Sequence, residues 1–137
     1  MRSSEMMSSQ KKGSFMSRHN DELYIHHIQE ASRKIIQRLQ GITRAAFDAN
    51  EEKQDSIIRQ MEIIGEAAGQ VSEAFRHSHP GIDWRGMKDL RNVLIHGYAD
   101  VNLDRVWRIA HTHVPELHHQ LSALQHKSEE EREEERE

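Results

Sequence analysis

The chain has 137 residues, 35% of them apolar and 31% charged, with a formal net charge of −4 and no cysteine. That length supports one domain around a single modest core, and the absence of thiols excludes disulfides and thiolate metal sites. No apolar run approaches the ~20 residues that a membrane-spanning helix needs, and the expected location is the cytoplasm.

The two ends differ from the middle. Residues 1–19 are rich in Ser and Met and carry Arg2, Lys11, Lys12 and Arg18. They lack the apolar stretch of a signal peptide and read as a disordered leader, with Met16 a candidate start. Residues 127–137 form an acidic tail, in which Glu129–Glu137 holds seven Glu and two Arg. Without that tail the chain is close to neutral. It therefore lacks the overall basic footprint of a general nucleic-acid binder, and any RNA contact must come from a local patch.

The central domain, residues 20–126, reads as helical throughout. Leu23, Ile28, Ala31, Ile35 and Leu39 make one apolar stripe over about 20–40, with Asn20 or Asp21 as N-cap and Gly41 at the C-terminal cap. Residues 42–47 form a connecting turn that delivers Phe47 to the core. A second helix is predicted from about Asn50 to Phe75, striped by Ile57, Ile58, Met61, Ile64, Ala68, Val71 and Phe75. Gly65, Ala67 and Ala68 thin its profile so that another helix can approach. After a loop at His77–Gly81, Asp83 caps a third helix running from Trp84 to about His96, which Gly97 ends. The fourth begins near Asn102 and carries Val106, Ala110, Val114, Leu117, Leu121 and Leu124, with Pro115 bending or dividing it. The prediction is an all-α, up-and-down bundle of four to five helices.

Chemistry concentrates in Arg91-Asn92-Val93-Leu94-Ile95-His96-Gly97-Tyr98. Arg is a permanent planar cation suited to phosphate, and His can give and take a proton near neutrality. A helix C-terminus at His96 favours the cationic imidazole. Residues at i and i+5 lie about 140° apart on a helix, so Arg91 and His96 do not share a face within one protomer. Two protomers about a twofold axis would bring two Arg and two His to one cleft.

Arg91, His96 and Tyr98 fit R-x-x-x-x-H-x-Y. With Ile63-Ile64-Gly65-Glu66-Ala67, Ile82-Asp83-Trp84, Leu90-Arg91-Asn92, Val106-Trp107 and Pro115-Glu116-Leu117 in order, the chain resembles the HepT-type toxins of the HEPN superfamily. Ala99 departs from the aromatic residue expected after the tyrosine. The resemblance spans roughly residues 20–124. It implies a HEPN-like bundle, a homodimer with its cleft between protomers, and a metal-independent endoribonuclease using Arg91 and His96 without a cofactor. It also implies a nucleotidyltransferase antitoxin that transfers AMP onto Tyr98, in the manner of a type VII toxin–antitoxin pair; the other readings of Tyr98 are a hydrogen-bond donor to substrate phosphate and a half-buried core tyrosine. Asn92 is a possible supporting contact to substrate, and Glu66 a possible ionic partner that orients Arg91.

Other readings accompany this one. The alternative is a non-catalytic helical module of the same fold that binds a nucleotidyltransferase and contributes substrate or nucleotide contacts. Arg91 paired with a carboxylate and His96 capping its own helix would be purely structural. His111 and His118, seven apart and hence on one helical face, with His113, His119 and His126 nearby, offer a rival site for a divalent metal such as zinc or nickel. His26 and His27 offer a weaker one. Trp84 and Trp107 are candidate base-stacking platforms, though core packing is the more ordinary use of both. The acidic tail could compete with RNA for basic residues.

Overall fold

The computed structural model describes the backbone of residues 2–96 and 101–136, and the side chains of residues 20–90, 101–127 and 129–136. Within it the chain is all-α, with no strand among the described residues. Seven helices follow one another: α1 (Arg2–Leu39), α2 (Arg44–Asp48), α3 (Glu51–Gln70), α4 (Glu73–Ser78), α5 (Trp84–His96), α6 (Leu103–His111) and α7 (His113–Arg136). Four long helices, α1, α3, α5 and α7, make the bundle, and the shorter three turn the chain between them.

The first hairpin shows local signals obeyed. Gly41 has φ of +74°, the left-handed conformation in which a side chain would be strained, and it closes α1. The Thr43 hydroxyl then accepts the Ala46 N–H at 3.1 Å and starts α2. This short helix drops Phe47, fully buried, beneath the bundle. Asn50 caps α3 by accepting the Lys53 N–H at 2.9 Å.

Two predicted features of α1 are overturned. Neither Asn20 nor Asp21 caps it, because the helical backbone continues to Arg2. Leu23, assigned to the core stripe, is 49% exposed. The buried face instead runs through Asp21, Ile28, Ser32, Ile35 and Leu39, a seven-residue phase in which a carboxylate takes the place expected of leucine. Its partners explain it. Asp21 accepts the Ser72 N–H at 2.7 Å and the Ser72 hydroxyl at 2.6 Å.

The same clamp divides the predicted second helix. Val71 turns extended, with φ −66° and ψ 136°, ending α3, and Ser72 caps α4 by accepting the Phe75 N–H. The Ser72 N–H, which a continuous helix would aim at its own carbonyl ladder, is spent on Asp21. Hydrogen bonds to a charged acceptor contribute about 1.5–3 kcal/mol, and removing one partner strands the other. Asp21→Ala is therefore expected to lower unfolding stability by about 2–3 kcal/mol, read by urea denaturation. Asp21→Asn should recover part of the loss, and an unchanged midpoint would show the clamp to be dispensable.

The predicted fourth helix is likewise two. Thr112 breaks it, donating its hydroxyl hydrogen to the Arg108 carbonyl at 2.6 Å. Pro115 follows in the first turn of α7, where its missing N–H does no harm but could not have served an unbroken helix. The apolar stripe passes through the break intact: Val106, Ala110, Val114, Leu117 and Leu121 are all buried. They join Ile28, Ile35, Ile57, Met61, Ile64 and Phe47 in one core.

Candidate functional site

The site is built on α5, whose rotation is set by its N-terminal half. Asp83 caps it, its carboxylate accepting the Gly86 N–H at 2.9 Å. A Cβ at Gly86 would collide with that carboxylate, so a larger residue there would displace the cap. Trp84 is buried, edge-on to Phe75 with ring centroids 5.9 Å apart, and its indole N–H donates to the His79 carbonyl at 2.9 Å. Trp84 is a core anchor rather than a base-stacking platform. Met87 and Leu90 are buried as well, against α3, where Ile64, Gly65, Ala67 and Ala68 present low, buried side chains.

These anchors fix the helical register through His96, the last residue of α5. At 100° per residue, position 91 falls on the arc between positions 84 and 87, and position 96 lies about 140° away. The two positions diverge within one chain, as their spacing requires. The side chains of Arg91, Asn92 and His96 lie outside the described residues, and so does Tyr98 entirely.

Glu66 is exposed on α3, between the buried Gly65 and Ala67. It stands on the helix that packs most closely along α5, but the Arg91 side chain it is expected to orient lies outside the described residues.

An open cavity of about 540 Å³ lies beside α5, between it and the α6–α7 corner. Ile64, Met87, Leu90, Ile109, Val114 and Leu117 form an apolar floor, and Asp83, Asp89, Arg105, Arg108, His113 and Glu116 line the rim. The Gln120 side-chain amide donates to the Gly81 carbonyl at 3.2 Å and ties the walls together at the end where α5 begins. Arg105 marks the other end: it also borders a small second cavity with Met61, Leu90, Val101 and Asn102. Arg105 and Arg108 were not singled out in the sequence. Their signal was there: two arginines three apart on α6, the helix with the sharpest division of polar and apolar faces, directly after the motif.

The rival histidine site does not assemble as expected. His111 ends α6 and His118 belongs to α7, on the far side of the break at Thr112, rather than to one continuous helix. The His111 ring packs on Trp107, centroids 4.0 Å apart, and its Nδ1 lies 2.8 Å from the Trp107 carbonyl. Trp107 in turn lies 5.3 Å from the buried Phe47 ring, which makes it a half-buried packing residue. No group of three or more metal-ligating side chains gathers among the described residues.

The acidic tail is carried away from this region. It extends α7, and Arg132 pairs with Glu22 of α1 at 2.8 Å. Glu22 adjoins the Asp21–Ser72 clamp, whereas α5 runs from α4 back along α3 toward the opposite end, where Arg38 bonds Ser56. At 1.5 Å per residue, the tail begins roughly 21 Å along α7 from His113. The tail of the same protomer thus extends toward Glu22, away from the end toward which α5 runs. No helix among the described residues is long and apolar enough to cross a membrane.

Comparison with known proteins adds an independent finding. Residues 28–124 match the family model described as ribonuclease HepT-like. A Methanocaldococcus jannaschii protein provisionally named an RNase is 31% identical over 102 residues, covering 74% of this chain and 94% of that one. A Caldanaerobacter subterraneus protein named in the same way is 31% identical over 101 residues, covering 74% and 90%. A Thermococcus cleftensis protein provisionally named ribonuclease HepT is 34% identical over 94 residues, covering 69% and 86%. No solved structure gives a significant match.

Proposed function

Because this chain belongs to the HepT-like ribonuclease family, we propose that it is a metal-independent endoribonuclease, the toxin of a toxin–antitoxin pair, acting as a twofold homodimer in the cytoplasm. Residues 20–126 are its working domain, with 1–19 and 127–137 as appendages. The observation that carries this reading is R-x-x-x-x-H-x-Y at Arg91, His96 and Tyr98, inside the family match, with positions 91 and 96 on the half of α5 that follows its core anchors.

Cleavage requires the ribose 2′-hydroxyl to lose its proton as the oxygen attacks phosphorus, and the departing 5′-oxygen to gain one. One imidazole serves poorly on both sides of the same phosphate. In a twofold dimer His96 of one protomer takes the first proton and His96 of its partner gives the second. The paired Arg91 guanidiniums stabilise the charge that builds on the phosphorane. Asn92 and Glu66 are supporting groups in this scheme, Asn92 toward substrate and Glu66 toward Arg91. A nucleotidyltransferase antitoxin switches the enzyme off by transferring AMP onto Tyr98.

The test is incubation of purified protein with labelled RNA in EDTA, beside a His96→Ala variant. Cleavage that persists under chelation and leaves 2′,3′-cyclic phosphate ends supports the proposal. Activity that chelation stops and an added divalent cation restores would overturn the mechanism. A protein that binds RNA or a nucleotidyltransferase without cutting would be the non-catalytic module instead.

A further inference from the structure

We propose that Arg105 and Arg108 of α6 form a phosphate track that leads single-stranded RNA along the groove beside α5 to the 91–98 segment. This rests on the ribonuclease reading and deepens it, since a nearly neutral domain must bind a polyanion through a local patch.

Three observations converge on these two arginines. Both line the cavity of about 540 Å³ that Met87 and Leu90 of α5 also line. Arg105 stands at the Leu90 end, next in sequence to the motif, as its share in the second cavity shows. Neither guanidinium has a carboxylate within salt-bridge distance among the described residues. For Arg108 the reason is visible. Its natural helical partner is Asp104, four residues earlier, but Asp104 is drawn to Arg44 of α2 at 2.7 Å. Arg44 is held between Asp48 and Asp104, and both carboxylates raise its pKa above the ordinary arginine value. The cross-helix pair therefore takes the carboxylate that would have neutralised Arg108.

The cavity lining holds three carboxylates against the two arginines, and the basic strip is confined to α6. Asp83 sits at the end tied by Gln120 and Gly81, with its carboxylate engaged by the Gly86 N–H. Asp89 of α5 and Glu116 of α7 also line the cavity. His113 of α7 lines the cavity as well. Repulsion by those carboxylates and attraction by α6 would hold a phosphate chain against the arginines. The planar guanidinium forks suit phosphate oxygens and carry no base preference.

The probe is a fluorescein-labelled 2′-O-methyl oligonucleotide, which lacks the nucleophile and reports binding apart from cleavage. Arg105→Gln/Arg108→Gln in the full-length protein should weaken binding at least 10-fold at low salt. It should also flatten the plot of log affinity against log salt by about 1.4, at roughly 0.7 per lost phosphate contact on single strands. Arg105→Lys/Arg108→Lys should keep the wild-type slope. On cleavable RNA the glutamine pair should raise KM and spare kcat, whereas His96→Ala should lose kcat and keep binding. Circular dichroism and sedimentation verify helicity and assembly.

Wild-type affinity and slope in the folded glutamine pair would overturn the track while leaving the ribonuclease reading intact. Dissociation of that pair into monomers would show that the arginines hold a second copy of the chain, which also overturns it. A wild-type protein that neither binds the oligonucleotide nor cuts RNA would sink the ribonuclease reading and the track together.

Discussion

Arg91→Ala and His96→Ala are each expected to lower RNA cleavage by at least about 10²-fold while leaving helical content and dimerisation unchanged. Removing a proton-transfer group or a donor aimed at developing charge costs rates of that order. The fold should tolerate both, because α5 is anchored by Trp84, Met87 and Leu90 against α3 and capped by Asp83. Single-turnover cleavage of labelled RNA gives the rates, and circular dichroism with sedimentation gives the structure. Arg91→Lys should recover only part of the rate, since a point charge replaces a planar fork. Loss of helicity in either alanine variant would make the residue structural. Full activity in either would remove it from the chemistry.

The second large effect concerns control. Incubation with ATP and the cognate nucleotidyltransferase is expected to add whole AMP units to the chain, stop RNA cleavage, and leave the dimer assembled. In the transfer the Tyr98 hydroxyl attacks the α-phosphorus of ATP, pyrophosphate leaves, and the phenolic proton passes to solvent. The new phosphodiester charge then competes with RNA for the arginines of the cleft, as phosphorylation opposite an arginine cluster does. Intact-mass spectrometry should show the increments, and Tyr98→Phe should abolish both them and the inhibition. Increments that survive in Tyr98→Phe would place the modification elsewhere. A monomer in sedimentation would remove the composite cleft.

What the amino-acid sequence determined by itself is local. Apolar spacing, Gly41, Asn50 and Asp83 specify the helical class, the turn at 41–43 and the starts of α3 and α5, because caps and stripes depend on residues within one or two turns of each other. The order of motifs sufficed to indicate the family that residues 28–124 match. The divergence of positions 91 and 96 likewise follows from the helical period alone.

Tertiary structure decided the rest, through partners distant in the chain. Asp21 reaches Ser72 across 51 positions, which buries a carboxylate, leaves Leu23 exposed and splits the predicted second helix. The apolar stripe from Val106 to Leu121 could not reveal the break at Thr112, since its spacing survives the interruption. Arg105 and Arg108 became notable only when Arg44 was seen to take Asp104 and the groove beside α5 was seen to include them. A side chain's local neighbours are written in the sequence, but whether a charge is paired, buried or left facing a groove depends on which helices pack together.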